Sequence, residues 1–159
     1  GVFHALAQLR DAGYRFAIVT NQDGLGTASF PTANYELPQQ FIVDAFASQG
    51  IVFDAVFVCP HFRADGCDCR KPSTRLVEAW VREQQVDLAS SAMIGDRDTD
   101  LEFATRLGVR GLRVLRDGPP ETGWPEIVQA LLARRATVER RTKETDIVVR
   151  VDLDSAGPQ

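Results

Sequence analysis

Phe16-Ala17-Ile18-Val19-Thr20-Asn21-Gln22 begins with four apolar residues in succession and becomes polar towards its end. A short run that is apolar without alternation is typical of a strand buried on both faces, as in a parallel sheet. The runs Val56–Cys59 and Ala92–Gly95 have the same character. The sequence therefore predicts at least three strands of this kind.

Helix-like patterns separate these strands along the chain. The best marked helix has Pro38 in its first turn and ends near Gly50. A further strand is predicted at Leu112–Leu115. Repeated strand–loop–helix units predict an α/β fold with a doubly wound parallel sheet of the Rossmann type. The apolar face of the helix at Pro38 comprises Phe41, Ile42, Ala45 and Phe46.

The C-terminal part has a different pattern. From Ile147 onward, Ile147, Val149 and Val151 lie on one face and alternate with Val148, Arg150 and Asp152 on the other. Such alternation is typical of a half-exposed strand in an antiparallel sheet. We therefore predict a domain boundary near residues 134–138, with one domain at 1–135 and the beginning of a second, α+β domain at 136–159.

Cysteine and histidine cluster between the second and third predicted strands. The residues Cys59, His61, Cys67 and Cys69 have the spacing C-x-H-x5-C-x-C. Thiolate and imidazole are the ligands that zinc prefers, and four of them fill a tetrahedral shell without an open position. The pattern therefore predicts a structural zinc site. Reduced surface cysteines beside a chance histidine, or a disulfide with one spare thiol, are the alternatives. Three cysteines favour a reducing, cytoplasmic setting.

Three short polar motifs follow predicted strands, at the sheet edge where open α/β folds bind ligands. Thr20-Asn21-Gln22 offers a hydroxyl and backbone N–H groups to a phosphate oxygen, and Lys71 can neutralise charge on a phosphoryl group. The acidic turn from Asp96 to Asp100 suits Mg²⁺, which binds oxygen ligands. Taken singly, these motifs also fit a turn with a helix cap, a solvated lysine and an acidic helix N-terminus.

Composition excludes few function classes. The 159 residues include 18 Lys and Arg against 22 Asp and Glu, a formal charge of −4, which argues against a nucleic-acid-binding protein. The basic residues between Arg134 and Lys143 are interpreted as a helix end followed by a solvated linker. No apolar run approaches the roughly 20 residues that span a bilayer, so no membrane partner is expected.

In their order along the chain, the three motifs resemble motifs two to four of the haloacid-dehalogenase superfamily of phosphotransferases. The Cys/His loop narrows this resemblance to the subfamily that contains histidinol-phosphatase and heptose-bisphosphate phosphatase. Thr20–Thr27, followed by Ser29-Phe30-Pro31, is similar to histidinol-phosphatase domains, and Thr142–Ile147 resembles the first strand of imidazoleglycerol-phosphate dehydratase. Both activities are fused in bifunctional enzymes of histidine biosynthesis, so the resemblance implies an internal piece of such an enzyme.

This resemblance implies Mg²⁺-dependent hydrolysis of a small phosphate ester, histidinol phosphate, through an aspartyl-phosphate intermediate. Lys71 and Thr20 would be catalytic, and both would bind the phosphoryl group together with Asn21. Asp96 would ligate Mg²⁺, with Asp100 supporting it. The zinc would be structural and would fix the loop that precedes the lysine.

For the dehydratase part, the resemblance implies Glu144 as a substrate contact, Mn²⁺ as a cofactor and oligomerisation through that domain. Two alternative functions stay open. One is a phosphatase for heptose bisphosphate or another sugar phosphate, and the other is a non-catalytic, zinc-stabilised interaction module.

The nucleophile motif of the superfamily is missing from the sequence. Asp-x-Asp-Gly-Thr ends the superfamily's first strand, where one carboxylate attacks phosphorus and the other shuttles the proton. Asp152-Leu153-Asp154 imitates this motif, but the alternation around it favours a half-exposed strand, and no Gly-Thr follows. In this superfamily the nucleophile strand is central, so without it the neighbouring strands would lack a ladder partner.

We therefore predict that the 159 residues alone are poorly folded and release no phosphate from histidinol phosphate. The physical reasons are the missing nucleophile and the unpaired backbone groups of the adjacent strands. Circular dichroism and a phosphate-release assay on the purified chain check this. Robust turnover by these residues alone would contradict it.

Overall fold

The computed structural model describes residues 1–114, 123–133 and 135–152, with the side chains of 135–137 and 150–152 left aside. Helices and strands alternate, as the apolar runs predict. The helices are α1 (Val2–Asp11), α2 (Ala33–Ala47), α3 (Arg75–Glu83), α4 (Asp98–Leu107) and α5 (Trp124–Leu132). The strands are β1 (Phe16–Asn21), β2 (Phe53–Cys59), β3 (Ala92–Gly95), β4 (Arg110–Arg113), β5 (Arg135–Arg141) and β6 (Asp146–Asp152).

Parallel pairing of the predicted buried strands is confirmed. β1 pairs with β2 and β3 pairs with β4, both in parallel register. The α/β class with parallel strands therefore stands, and residues 63–65 add a short 3₁₀ turn within the Cys/His loop.

The parallel strands form two separate pairs rather than one continuous sheet. Within the described ranges, each of the four strands has a single strand neighbour. Most residues of β1, and all residues of β3, are half-buried, although strands in the middle of a doubly wound sheet are normally buried on both faces. One edge of β1 and one edge of β3 thus lack a ladder partner among the described residues.

The apolar core lies where α1 and α5 pack together. Ala5, Leu6 and Leu9 of α1 are buried with Ile51 and Val128. The Tyr14 hydroxyl donates a hydrogen bond of 3.2 Å to the Leu131 carbonyl at the same contact. Tyr14 lies between α1 and β1, so its hydrogen bond to α5 fixes the position at which β1 begins.

The structure corrects two details of the predicted helices and strands. α2 begins at Ala33, not near Pro38, so the proline lies inside the helix, where its ring removes one backbone donor. The predicted apolar face of α2 is covered only in part, because Phe46 packs against the core whereas Phe41 is 75% exposed. The fourth parallel strand is Arg110–Arg113, two residues earlier than predicted, and Leu115 lies outside the described residues.

The C-terminal segment forms an antiparallel hairpin of β5 and β6. The interpretation of residues 135–141 as a solvated linker was wrong, because these residues pair with 146–152. The predicted alternation of β6 does not appear as one buried face, since Ile147 and Val148 are 47% and 48% exposed. The part of the Asp152-Leu153-Asp154 motif after Asp152 lies outside the described residues.

No helix within the described ranges is both long and apolar enough to cross a bilayer.

Truncation of Leu9 tests whether the contact between α1 and α5 is the main core. Leu9 is 2% exposed, so we expect Leu9→Ala to lower the free energy of unfolding by about 2–5 kcal/mol through lost burial and a cavity. Leu37→Ala is the matched control, because Leu37 is 74% exposed and should change stability by less than about 0.5 kcal/mol. Urea titration of both variants, made in an N-terminally extended chain that supplies the central strand, measures the difference, and equal losses would contradict this assignment of the core.

Candidate active site and metal centre

The four predicted zinc ligands converge after β2. The ligand atoms of Cys59, His61, Cys67 and Cys69 all lie within 4.8 Å of one another. The three sulfur atoms are 3.3, 3.5 and 3.6 Å apart, and all three cysteines are free. A disulfide requires sulfur atoms about 2.05 Å apart, so the disulfide alternative does not hold in this structure.

The cluster matches the geometry of a tetrahedral zinc site. Zn–S bonds of about 2.3 Å and Zn–N bonds of about 2.0 Å place the ligand atoms roughly 3.5–3.8 Å apart at tetrahedral angles. His61 Nδ1 lies 3.1 Å from Cys69 Sγ and 3.8 Å from Cys59 Sγ, close to these values. Three thiols and one imidazole can therefore hold a zinc ion without an open position for substrate.

Crowding of the thiols makes the cluster sensitive to pH. Burial, followed by the hydrogen bonds and charges of Cys59 and Cys67, raises the pKa of the Cys69 thiol to about 12. Thiolate is the form that binds metal, so a cation entering this cluster displaces the Cys69 proton. Metal affinity of the cluster should therefore rise as the pH rises.

The Cys/His loop is joined to the polar loop after β1. The Gln22 backbone N–H donates to the Cys59 carbonyl at 2.8 Å, and the Leu25 N–H donates to the Pro60 carbonyl at 3.1 Å. The Phe62 ring lies directly over Gly24, where an added Cβ atom would be 2.1 Å from Cζ of the ring. Gly24 also has a φ of +75°, so glycine is needed there for both backbone and space.

Arg70 links the same two loops through its side chain. Its guanidinium donates to the Asp23 carboxylate at 2.5 Å and to the His61 carbonyl at 3.2 Å. The pKa of the Arg70 guanidinium is raised, chiefly by this hydrogen bond to the Asp23 carboxylate. The metal loop and the loop after β1 are thus connected by backbone bonds, a ring contact and an ion pair.

Lys71 is held in place by Asn21 at the end of β1. The Asn21 side chain accepts a hydrogen bond from the Lys71 backbone N–H at 3.0 Å and donates one to the Lys71 carbonyl at 3.3 Å. Both ends of one side-chain amide therefore bind the backbone of one residue. This double hydrogen bond fixes where the lysine side chain begins.

The Lys71 ammonium lies between the two strand pairs. Nζ donates a hydrogen bond of 2.6 Å to the Val19 carbonyl. It also forms an ion pair with Asp100 Oδ1 at 2.7 Å, although the angles of this second contact are not those of a hydrogen bond. The side chains of Lys71 and Asp100 are only 10% and 5% exposed. A buried charge needs such a partner, because an unpaired charge loses its hydration without compensation.

Asp100 is held against the end of β3 by its own helix terminus. Its second oxygen, Oδ2, accepts a hydrogen bond of 3.1 Å from the Arg97 backbone N–H. A Cβ atom at Gly95 would be 2.2 Å from this oxygen. Glycine at position 95 therefore makes room for the carboxylate that pairs with the lysine.

The remaining predicted site residues are placed as follows. The Thr20 hydroxyl is at the end of β1 and accepts a hydrogen bond of 2.8 Å from the Gln22 side-chain amide. Asp96 follows β3 directly, and its carbonyl accepts a hydrogen bond from Arg113. Glu144 is exposed in the turn between β5 and β6. The structure thus brings Asn21, Lys71 and Asp100 into contact, with Thr20 next to Asn21 in the chain.

Sequence reasoning missed three contributors to this site. Asp23 and Gly24 lie within the stretch Thr20–Thr27 but were given no role there, and Phe62 was not singled out at all. The closest signal was the glycine-rich composition of residues 21–36 and the position of Arg70 beside Lys71. Neither of these features identifies a partner across some forty residues of chain.

Comparison with known proteins agrees with this arrangement. The sequence profile of the HAD-hydrolase-like family matches residues 68–123. The histidine biosynthesis bifunctional protein HisB of Legionella pneumophila (strain Lens) is 45% identical over 157 residues, which are 98% of this chain and 44% of that protein. HisB of Buchnera aphidicola subsp. Schizaphis graminum is 41% identical over 96% of this chain and 43% of that protein. The chain therefore spans less than half the length of these relatives.

Two solved structures share the fold. D,D-heptose 1.7-bisphosphate phosphatase from B. bronchiseptica, complexed with magnesium and phosphate, has 32% identity and a TM-score of 0.66, covering 82% of this chain and 80% of that chain. A HAD-like phosphatase from Mesorhizobium loti has 20% identity and a TM-score of 0.67, covering 81% of this chain and 71% of that one. At 20% identity, the second likeness shows the fold alone.

Substitution at Gly24 tests the coupling between the loops. We expect Gly24→Ala to displace Phe62 and to lower the free energy of unfolding by about 1–3 kcal/mol more than Gly26→Ala does. Gly26 is the matched control, because its φ of +90° imposes similar backbone strain while its nearest neighbour is 3.9 Å from an added Cβ. Urea titrations of both variants in the N-terminally extended chain, with zinc present, give the two values. Indistinguishable values would show that the Phe62 contact does not hold the loops together.

Proposed function

This chain belongs to the HAD-hydrolase-like family of phosphatases, and we propose that it is the phosphate-binding part of an enzyme that hydrolyses histidinol phosphate. The observation that carries the proposal is the placement of Lys71. Its side chain is buried, its backbone is held by Asn21, and its ammonium lies where β1 and β3 end. The histidine-biosynthesis relatives, similar over nearly the whole chain, support the choice of substrate.

Lys71 would stabilise negative charge as the phosphoryl group is transferred. A lysine already desolvated and oriented needs little rearrangement during the reaction, so its charge acts more strongly than in water. The Thr20 hydroxyl would exchange its hydrogen bond with Gln22 for one to a phosphoryl oxygen. Asn21, whose amide is engaged by the Lys71 backbone, would support phosphate binding mainly by keeping the lysine in place.

Magnesium fits the acidic turn after β3. Carboxylate oxygens are the ligands that this hard cation prefers, and Asp96 stands at the strand end with the buried Asp100 four residues later. When bound, Mg²⁺ would neutralise charge on the phosphoryl oxygens. Asp96 would be its ligand from this chain, while Asp100 would support the site and balance the charge of Lys71.

Zinc would have a structural role in the Cys/His cluster. Four protein ligands leave no position for substrate, so the ion would act through the loop that it holds. Cys69 is two residues before Lys71, and the loop also contacts the residues after Thr20. Zinc would therefore fix both loops that carry the phosphate-binding side chains.

Residues 136–159 would begin an imidazoleglycerol-phosphate dehydratase domain after a phosphatase domain at residues 1–135. The antiparallel hairpin of β5 and β6, whose pairing differs from that of the parallel strands, supports this division. In this proposal Glu144 contributes to substrate binding in the dehydratase part, where Mn²⁺ and oligomerisation also belong.

Heptose bisphosphate is the second candidate substrate. The solved heptose bisphosphate phosphatase, at 32% identity over most of its length, favours it. Both substrates are small phosphate esters, and the contacts of Lys71 and Thr20 suit either.

The test uses an N-terminally extended form that supplies an apolar strand ending in Asp-x-Asp-Gly-Thr. We expect phosphate release from histidinol phosphate in the presence of Mg²⁺, and one tightly bound zinc per chain by elemental analysis. Lys71→Met should lower kcat/KM by about 10²–10³-fold, because one charge-stabilising group is lost. Lys143→Met is the matched control, since Lys143 is exposed in the hairpin turn and should leave kcat/KM unchanged.

A second comparison separates catalysis from stability. Lys71→Met leaves Asp100 buried without its partner, whereas the double variant Lys71→Met/Asp100→Leu removes both charges and should unfold at higher urea than the single variant. Activity should stay low in both. Faster turnover of heptose bisphosphate than of histidinol phosphate would reverse the choice of substrate, and no release from either would favour a non-catalytic module.

A further inference from the structure

An ion pair lies just outside the sheet edge at which the phosphoryl group would bind. Asp23 follows the end of β1 by two residues, and Arg70 directly precedes Lys71. The two side chains are joined by the hydrogen bond of 2.5 Å from the Arg70 guanidinium to Asp23 Oδ1. We propose that this pair selects the leaving group of the ester: Asp23 binds a cationic group, as in the phosphate of an amino alcohol, and disfavours a second phosphate. The inference rests on the proposed phosphatase function and deepens it.

The position of the pair relative to Lys71 is the first step. The Lys71 ammonium reaches back to the Val19 carbonyl within β1, whereas Asp23 lies beyond the end of that strand. A phosphoryl group bound by Lys71 and Thr20 would therefore lie at the strand ends. The rest of the ester would extend away from the sheet, because open α/β sheets bind ligands outside the carboxyl ends of their strands. The ion pair of Asp23 and Arg70 lies on that outer side.

Asp23 is the more accessible member of the pair. Its side chain is 48% exposed, whereas the side chain of Arg70 is 18% exposed. Only Oδ1 of Asp23 is engaged, and no residue that the structure describes donates a hydrogen bond to Oδ2. An ionised carboxylate with an unused oxygen can accept a charge-assisted hydrogen bond from an ammonium or imidazolium group. The same negative charge repels a second phosphate on the ester.

Arg70 has contacts that do not depend on Asp23. The nitrogen that binds Asp23 also donates to the His61 carbonyl at 3.2 Å. The Arg70 carbonyl accepts a hydrogen bond of 2.8 Å from the Ser73 N–H, and the backbone of the next residue is held by Asn21. Loss of the charge at Asp23 would thus leave a guanidinium in place with its charge uncompensated. Because arginine binds phosphate through its fork of N–H donors, the charge at position 23 would decide which ester is preferred.

The pair is not needed to join the two loops. The backbone hydrogen bonds from Gln22 to Cys59 and from Leu25 to Pro60 already join them on either side of Asp23. A partly exposed ion pair adds little to stability. A solvent-facing carboxylate at this position is therefore explained better by charge selection than by loop attachment.

The test uses three esters with one carbon chain and different charges at its far end. 3-Aminopropyl phosphate carries an ammonium group, propyl phosphate is uncharged there, and propane-1,3-diol bisphosphate carries a second phosphate. Turnover is measured with the N-terminally extended form, loaded with zinc and Mg²⁺. We expect kcat/KM per phosphate group to fall in that order. The difference should lie in KM, because a distal group binds equally in the ground state and the transition state.

Asp23→Asn removes one negative charge while keeping the shape of the side chain and an oxygen for Arg70. We expect kcat/KM to fall about 5- to 10-fold for the aminopropyl ester and to rise by a similar factor for the bisphosphate, with propyl phosphate unchanged. The matched control is Asp54→Asn, because Asp54 also pairs with an arginine, Arg15 at 2.6 Å, but lies at the start of β2. This control should leave all three values unchanged.

Equal losses for all three esters in Asp23→Asn would show that the pair only holds the loops, and would overturn the inference. Preference of the unsubstituted protein for the bisphosphate would overturn it as well. Dissociation constants of the three esters, measured by calorimetry, separate this inference from the proposed function. The expected order of dissociation constants without any hydrolysis would refute the phosphatase and support the charge selection. Hydrolysis that does not depend on the charge at position 23 would do the reverse.

Discussion

The double hydrogen bond between Asn21 and the backbone of Lys71 is the constraint on which the site depends. It joins the end of β1 to the residue that follows the Cys/His loop, fifty positions later in the chain. Each of these hydrogen bonds contributes only about 1 kcal/mol, but together they fix both position and orientation. The lysine side chain therefore starts from a defined point and reaches Asp100 without a large loss of rotamer freedom at the moment of reaction.

The ion pair of Lys71 and Asp100 connects the β1–β2 pair, to which Lys71 is bound through Asn21, with the helix that follows β3 of the β3–β4 pair. Burial makes the pair costly unless its geometry is good, so the surrounding contacts matter as much as the charges. Gly95 leaves space for the carboxylate, the Arg97 N–H binds its other oxygen, and the Val19 carbonyl accepts a hydrogen bond from the ammonium. The pair thus links the end of β1 to the helix that follows β3, and β1 and β3 have no strand between them within the described ranges.

Patterns within short stretches of sequence predicted those parts of the structure that depend on interactions between residues close together in the chain. Continuous apolar runs located β1, β2 and β3, and the spacing of cysteines and histidine located the metal cluster, because ligands within eleven residues need only one loop to meet. The start of α2 at Ala33 and the strand β5 were not predicted, since helix propensity around Pro38 and the charges of residues 135–141 give misleading local signals. A hairpin partner, not composition, decides that residues 135–141 are extended.

Side-chain partners across long stretches of chain were beyond sequence reasoning for a different reason. Asn21, read alone, has the chemistry of a phosphate ligand, and nothing in its neighbours shows that Lys71 engages both ends of its amide. The same holds for Asp23 and Arg70, whose pairing requires the two loops to be adjacent.

The proximity of these loops also explains how a closed metal shell can affect chemistry that it does not touch. A cation in the cluster would hold Cys59 and Cys69 together, and these residues flank the loop whose carbonyls at Cys59, Pro60 and His61 bind Gln22, Leu25 and Arg70. Loss of the metal would free four ligand side chains, three of them ionisable thiols, within one short loop. The conformational entropy lost on ordering this loop would then no longer be offset by metal binding. No single hydrogen bond to residues 22–25 is strong enough to offset it. Lys71, two residues beyond the last cysteine, would then be held near β1 only by its own bonds to Asn21 and by those of Arg70, so its starting point would be less well fixed.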